Sequence, residues 1–338
     1  MTDRAELLRR AGAGAAGFSL AQLLAPAGAW AAGSPFPDHP RWRFVFVSRN
    51  TLEPLFVPTQ FGAQDAARLV GCTAQWDGSP SGTAAEAVRA LRSAVEKKAD
   101  GIAVSITDDG LFAPGIDAAR RAGIPVVAFN VASSRRPRPA YVGESPAVSG
   151  ARVAAEIARL VPLGEALIFA PGESHAWTER RLEGVLAGLT RIAKAPQATT
   201  VRLGGDLRQQ QRKVESALAD RPRAHGAFAV DGPGTLAVGR ALKRHGGEIH
   251  GGGYDLLPGD LRLVADGTLD FVVDQQPYLQ GFTPVLQLFL ARVSEGTVVP
   301  WDTETSVLLR KDDVNTFLRT KSRFKGSTSR HEYPLRRG

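Results

Sequence analysis

The chain has 338 residues, 43% of them hydrophobic and 22% charged, a balance that excludes a disordered polypeptide and fits two domains of ordinary size. Its formal net charge of +8 raises nucleic acid as a partner. The basic residues are scattered, however, with dense runs only at Ser133–Pro139 and from Arg319 to Gly338. Neither run interleaves the aromatic side chains of a base-stacking surface, so no nucleic-acid partner is expected. The single cysteine, Cys72, excludes an intrachain disulfide and a cysteine zinc site, and the six dispersed histidines include no helical i, i+4 pair that would hold a metal.

The first element in chain order is "LLRRAGAGAAGFSLAQLL", Leu7 to Leu24. Gly12, Gly14 and Gly17 stand at the G-x-G-x-x-G spacing of a dinucleotide loop. Such a loop works only when a buried strand delivers the chain into the turn and a helix N-terminus receives the phosphate. "MTDRAELLRR" is too short and too charged to be that strand, and no acidic residue ends a second strand about 20 residues on. Arg9-Arg10, a mild apolar run and Ala29-x-Ala31 instead read as a cleavable export signal over residues 1–31 of twin-arginine type. The apolar run is too short and too glycine-rich to span a membrane. The mature chain is then expected to start near Ala32, in the periplasm or another extracytoplasmic space, without a nicotinamide or flavin cofactor.

From Arg43 the pattern becomes regular. "RFVFVS" suits a buried parallel strand, and "VPTQFGAQDAARLV" follows as an amphipathic helix. "CTAQW", "GTAAEAVRALRSAVEKKA", "GIAVSI", "GIDAARRAG" and "IPVVAFN" continue the alternation, which requires crossover connections and a sheet covered on both faces. Near "YVGESPAVSGARVAAEIARL" the pattern restarts. "EALIFAPG", "TERRLEGVLAGL", "TTVRLGG", "QQQRKVESALAD", "GAFAVDG", "GTLAVGRALKRHG", "IHGGGYD", "PGDLRLVADG" and "LDFVVDQQ" form a second series. The fold class is therefore α/β, with two doubly wound parallel-sheet, Rossmann-like lobes and no Pro/Ser tether between them.

Ligands of open parallel sheets bind outside the carboxyl ends of the strands. The first lobe places Asn50, Glu53, Leu55, Phe56, Trp76, Asp77, Asp108 and Asn130 there. The second places His175, Trp177, Arg181, Asp206, Asp231, Asp255 and Asp274-Gln275-Gln276. Carboxylates, amides and guanidinium forks grip vicinal hydroxyls, and aromatic faces cover the C–H side of a sugar ring. The set holds no serine–base pair, reactive cysteine or phosphate loop, so no catalytic residue is assigned. A strand-end Asp or Asn also serves as a helix cap or turn former, and Asp231 and Asp255 each stand just before a helical segment.

The order "VSRNTLEPLFVPTQFGAQDAARLVG", "DGIAVS", "AGIPVVAFN", "YVGES…SGARVAAEIA", "ERRLEGV", "GAFAVD", "GGYD" and "DQQPYLQGF" resembles the periplasmic solute-binding proteins of sugar ABC importers, in the branch similar to ribose-binding protein. The resemblance runs from about Arg43 to Val307. It implies a type I periplasmic binding protein fold, with three hinge crossings and a sugar or polyol enclosed between the lobes. On that basis the N-terminal lobe covers 41–144 plus 277–300, the C-terminal lobe 145–276 plus 301–320, and a basic tail 321–338.

The family's contacts after the first strand fall on Glu53, Leu55 and Phe56, where Leu55 replaces an aromatic. The acidic residue ending strand four falls on Asn130, and the arginine after it is Val131 here. The loss of that arginine, with Glu53, Asn130 and Trp76 present, argues against a plain pentose and points to an inositol-like polyol or a modified hexose. The helix arginine falls on Arg181, and the remaining polar contacts fall on Asp231, Asp255 and Gln275. Phe56 and Trp177 would cover the ring, with Trp76 nearby. The implied function is that of a monomeric receptor delivering its ligand to a membrane permease by hinge closure. A sugar isomerase or dehydrogenase, or a chemoreceptor-coupled sensor without transport, are the alternatives. A lac-repressor-type regulator would carry a helix-turn-helix where the export signal stands.

Overall fold

The computed structural model describes residues 36–133, 138–173, 175–246, 248–256 and 259–319. The expected export signal over 1–31 and the basic tail over 321–338 lie outside the described residues.

The chain first builds β1 (Arg43–Ser48), α1 (Val57–Leu69), β2 (Thr73–Gly78), α2 (Ala84–Glu96), β3 (Gly101–Val104), α3 (Asp109–Arg121), β4 (Val126–Phe129) and β5 (Ala140–Gly143). It crosses at Glu144-Ser145 into α4 (Pro146–Leu160), β6 (Glu165–Pro171), α5 (Ala176–Thr190), β7 (Gln197–Leu203), α6 (Leu207–Ala219), β8 (Ala224–Ala229), α7 (Gly232–His245), β9 (His250–Tyr254), α8 (Asp260–Ala265) and β10 (Phe271–Asp274). It returns at Gln275-Gln276 for α9 (Pro277–Val293) and β11 (Thr303–Glu304), then crosses again to β12 (Val307–Arg310) and α10 (Lys311–Arg319).

The sheets run β2-β1-β3-β4-β5-β11 and β7-β6-β8-β9-β10-β12. Both therefore reverse their winding beside the first strand of the lobe, where ligand crevices form in doubly wound sheets. Buried strands with helices on both faces explain the continuous apolar runs. Val45 and Val47 pack with Leu91, Phe112 and Ile116 on one face, while Phe46 turns to Trp76 and Phe129 on the other. In the second sheet Leu167 and Phe169 join the core beneath α6 and α7, and Ala166 and Ile168 join the one beneath α4 and α5.

Two findings depart from the sequence reading. β12 is antiparallel to β10, pairing Phe271 with Arg310, because the chain enters it from the cleft end, where β10 finishes. Residues 301–304 were expected in the C-terminal lobe, but β11 pairs Thr303 with Val142 of β5 in the first sheet. The third crossing thus falls at Thr305-Ser306, and a two-residue strand is too short for periodicity to show.

Each lobe has a helix pair in backbone contact, and in both one helix leaves a crossing while the other follows the lobe's first strand. A Cβ on Gly62 of α1 would stand 2.1 Å from the carbonyl oxygen of Tyr278 on α9, and one on Gly184 of α5 would stand 2.2 Å from that of Pro146 on α4. Only glycine permits approach this close. The pairs hold the carboxyl ends of β1 and β6 beside the crossings, where the site lies.

Candidate functional site

The cleft between the carboxyl ends of the two sheets holds a pocket of about 90 Å³. Its walls carry three guanidinium groups (Arg49, Arg180, Arg181) and three carboxylates (Glu53, Glu144, Asp255), so the formal charges of the lining balance. Carboxamides from Asn130 and Gln275, the Tyr141 phenol, Leu55, Val131 and Trp177 complete most of the surface.

Arg181, on the first turns of α5, is 4% exposed. Its Nε donates to Glu144 Oε2 at 2.6 Å in the first crossing. Nη1 donates to the Val230 carbonyl at 3.2 Å, and Nη1 and Nη2 each stand 3.4 Å from an oxygen of Asp255. The guanidinium lies 4.5 Å from the centre of the Tyr254 ring. Burial works to lower its pKa, but Glu144 and Asp255 outweigh burial and raise it, so the group stays charged. A guanidinium in this position is tolerable only with such partners. Ser149 Oγ donates to the second oxygen of Glu144, and Gln275 Nε2 donates to Asp255.

The first lobe also supplies a cation. Arg49, just past β1, donates from Nε to Asn130 Oδ1 at 3.1 Å and from Nη2 to Glu53 Oε1 at 2.8 Å. It lies 5.3 Å from both the Phe56 and the Trp177 ring centres, the latter on the second lobe. Arg180 crosses in the other direction and donates to the Ala132 carbonyl at 3.2 Å. Burial pushes the Glu53 carboxyl up, with Arg49 opposing.

Asn130 and Asp255 end the fourth strand of their respective lobes and share a left-handed backbone, with φ of 60° and 68°, while Gln276 in the second crossing has φ 51°. Left-handed non-glycine residues persist where surrounding contacts enforce them, and they cluster at functional sites. Here the contacts are visible. Asn130 Nδ2 reaches Gln280 Oε1 at 3.3 Å, its carbonyl accepts from the Tyr141 hydroxyl at 2.8 Å, and the Asp255 N–H donates to the Val273 carbonyl at 2.8 Å.

Of the ten residues singled out from sequence, Glu53, Leu55, Asn130, Trp177, Arg181, Asp255 and Gln275 line this cleft. Phe56 does not. It is fully buried among Trp76 and Phe129, because the short 3-10 turn Pro54–Phe56 aims it into the core. Trp76 packs in the same aromatic cluster, away from the lining. Asp231 caps α7, accepting from the Gly234 N–H at 3.2 Å, and is not among the residues that line the cleft. Asp255 caps no helix, since α8 begins at Asp260 with Gly259 before it. Trp177 stacks on His175 with ring centres 4.6 Å apart.

Sequence reasoning passed over Arg49, Tyr141, Glu144 and Arg180. Arg49 and Glu53 at i, i+4 directly after a strand were the available signal for the first pair. For Glu144 it was an acidic residue at the restart of the pattern.

The arrangement offers planar donors and acceptors already held by protein partners. Among the described residues no group of three or more His, Cys, Asp or Glu side chains is placed to hold a metal ion. No described helix is long and apolar enough to cross a membrane.

Comparison with known proteins gives consistent matches. The family described as the periplasmic binding protein domain matches residues 44–292. The chain is 35% identical over 317 residues to the xylose/arabinose-binding protein XylF of Sulfolobus acidocaldarius, covering 88% of this chain and 77% of that one. Among solved structures, an ABC transporter solute-binding protein from Burkholderia graminis in complex with D-arabinose superposes with a TM-score of 0.72 at 23% identity, covering 83% of this chain and 99% of that one. A carbohydrate transporter from Acidothermus cellulolyticus in complex with myo-inositol gives 0.69 at 22%, covering 83% and 98%. These likenesses establish the type I periplasmic binding protein fold.

Burial, with Asp255 adding, raises the pKa of Asp231 to about 6. An acid whose folded value lies above its unfolded value of about 3.9 binds protons more tightly in the native state. Its contribution is therefore most favourable below the unfolded value and is lost as pH rises through the folded one. Asp231→Asn keeps a capping oxygen and removes the charge. The variant is expected to melt with the wild type near pH 4 and above it at pH 7. A melting difference that stays constant over that range would contradict the burial of an ionised Asp231.

Proposed function

This chain belongs to the periplasmic binding protein family, and on that premise we propose that it is the sugar-binding receptor of an ABC importer, closing its two lobes around one monosaccharide. The observation that carries the reading is the charge-balanced, amide-rich cleft between the lobes, with Asp255 held in place by Arg181 and Gln275. Asp255, Glu53, Asn130 and Gln275 would take sugar hydroxyls together with Arg49 and Arg180, while Trp177 and Leu55 cover C–H surface. Arg181 has each nitrogen already engaged by the protein, so its first task is to position the carboxylates. Phe56, Trp76 and Asp231 stand outside the lining.

Pentoses are the first ligands to test. The Sulfolobus acidocaldarius relative is named for xylose and arabinose. The argument against a pentose from Val131 also weakens, because Arg49 brings a guanidinium to Asn130 from another strand. The receptor would act as a monomer, without chemistry of its own, and light scattering of the purified chain should return a single-chain mass. An enzyme reading would require turnover of the bound sugar.

Calorimetry with D-xylose, arabinose and myo-inositol is expected to find one tight ligand. At a hundredfold excess over Kd it adds about 2.7 kcal/mol to stability. Asp255→Ala removes a charged hydrogen-bond acceptor at a cost of about 2–3 kcal/mol, roughly a 30- to 150-fold loss of affinity. Unchanged affinity in that variant, or no sugar that binds the wild type, would contradict the reading.

Export by the twin-arginine route follows from Arg9-Arg10 and Ala29-x-Ala31. Changing both arginines to lysine is expected to leave the precursor in the cytoplasm. A variant exported and cleaved as efficiently as the wild type would contradict that route.

A further inference from the structure

The second lobe gathers on its outer surface a cluster of cations that is dispersed in the sequence. α6 and α7 lie side by side over one core, which their inner faces fill with Val214, Leu218, Ala237, Val238 and Leu242. Arg208 and Arg212 stand one turn apart on α6, Arg240 and Arg244 one turn apart on α7, and Lys243 lies beside them. These five exposed cations, with Gln211, line the groove between the helices.

Two of the cations have acidic partners. Lys243 Nζ lies 2.7 Å from Asp266, and Arg244 lies 3.5 Å from Glu215, which also accepts from Gln211. Arg208, Arg212 and Arg240 have no ion-pair or hydrogen-bond partner among the described residues. Like charges held together at exposed sites repel one another, and an anionic partner relieves that repulsion.

We propose that the α6–α7 face is a docking surface for the anionic phosphate headgroups of a membrane. Four of its five cations are arginines, whose planar forks match phosphate oxygens bidentately. The charges spread along two helices and do not converge on one point, which suits a sheet of many phosphates more than a single small anion. Neither helix carries an exposed large apolar side chain, so the contact is electrostatic and reversible, without insertion. No described helix crosses a membrane, and the net charge of +8 supplies long-range attraction to the same surface. Held this way, the protein would sit at the membrane independently of its sugar.

The test is co-sedimentation of the full chain with vesicles of neutral phosphatidylcholine, alone or with about 30% phosphatidylglycerol. The wild type is expected to bind only the anionic vesicles and to be released as salt rises from about 0.05 M to about 0.5 M. Replacing Arg208, Arg212 and Arg240 together by Gln is expected to weaken that partitioning roughly 100-fold, with the melting temperature unchanged. Equal binding to neutral vesicles, or full binding by the triple variant, would overturn the proposal. Retention of inorganic polyphosphate without any vesicle binding would also overturn it and assign the groove to a soluble polyanion. The assay contains no sugar, so its failure is separate from failure of the sugar reading.

Discussion

A guanidinium 4% exposed to solvent needs permanent partners, and Arg181 finds them in different parts of the chain. Glu144 belongs to the first crossing, Asp255 ends the fourth strand of the second lobe, and the Val230 carbonyl ends the third. Removing any one partner would strand buried charge, which costs several kcal/mol. One side chain therefore ties the hinge to the wall of the second lobe. It also fixes the oxygens of Asp255, on which a hydroxyl-bearing ligand would depend.

The first lobe repeats the logic more loosely. Arg49 gathers Glu53 and Asn130, but it is partly exposed and also meets Trp177 across the cleft. A rigid, fully committed cation on one side and a more accessible one on the other suit a site that opens and closes. The glycine contacts between α1 and α9 and between α4 and α5 bring the two backbones of each pair together beside the crossings.

Much of this was legible in the sequence because parallel strands buried on both faces leave continuous apolar runs, and amphipathic helices between them leave a different period. The positions after those runs include Glu53, Asn130, Asp255 and Gln275, and these line the cleft together with Arg181 of the helix that follows β6. What failed to show had physical causes. Phe56 and Trp76 are aromatic residues near a strand end, and sequence cannot say whether such rings face the cleft or the core. Asp231 satisfies a helix end, the commoner role for an Asp before a helix. β11 is too short to carry a period. The cations of α6 and α7 lie some thirty residues apart in the chain and become neighbours only when the helices pack.

The account rests on the claim that a sugar sits between the lobes against an Asp255 already oriented by Arg181. The most direct measurement is a crystal structure of the protein grown with the sugar that raises its melting temperature most. The account predicts ligand hydroxyls within hydrogen-bond distance of Asp255 and of at least one of Arg49, Glu53 and Asn130, with Arg181 still bonded to Glu144. A sugar bound outside the cleft, or an Arg181 swung away from Glu144 to reach the ligand, would contradict it.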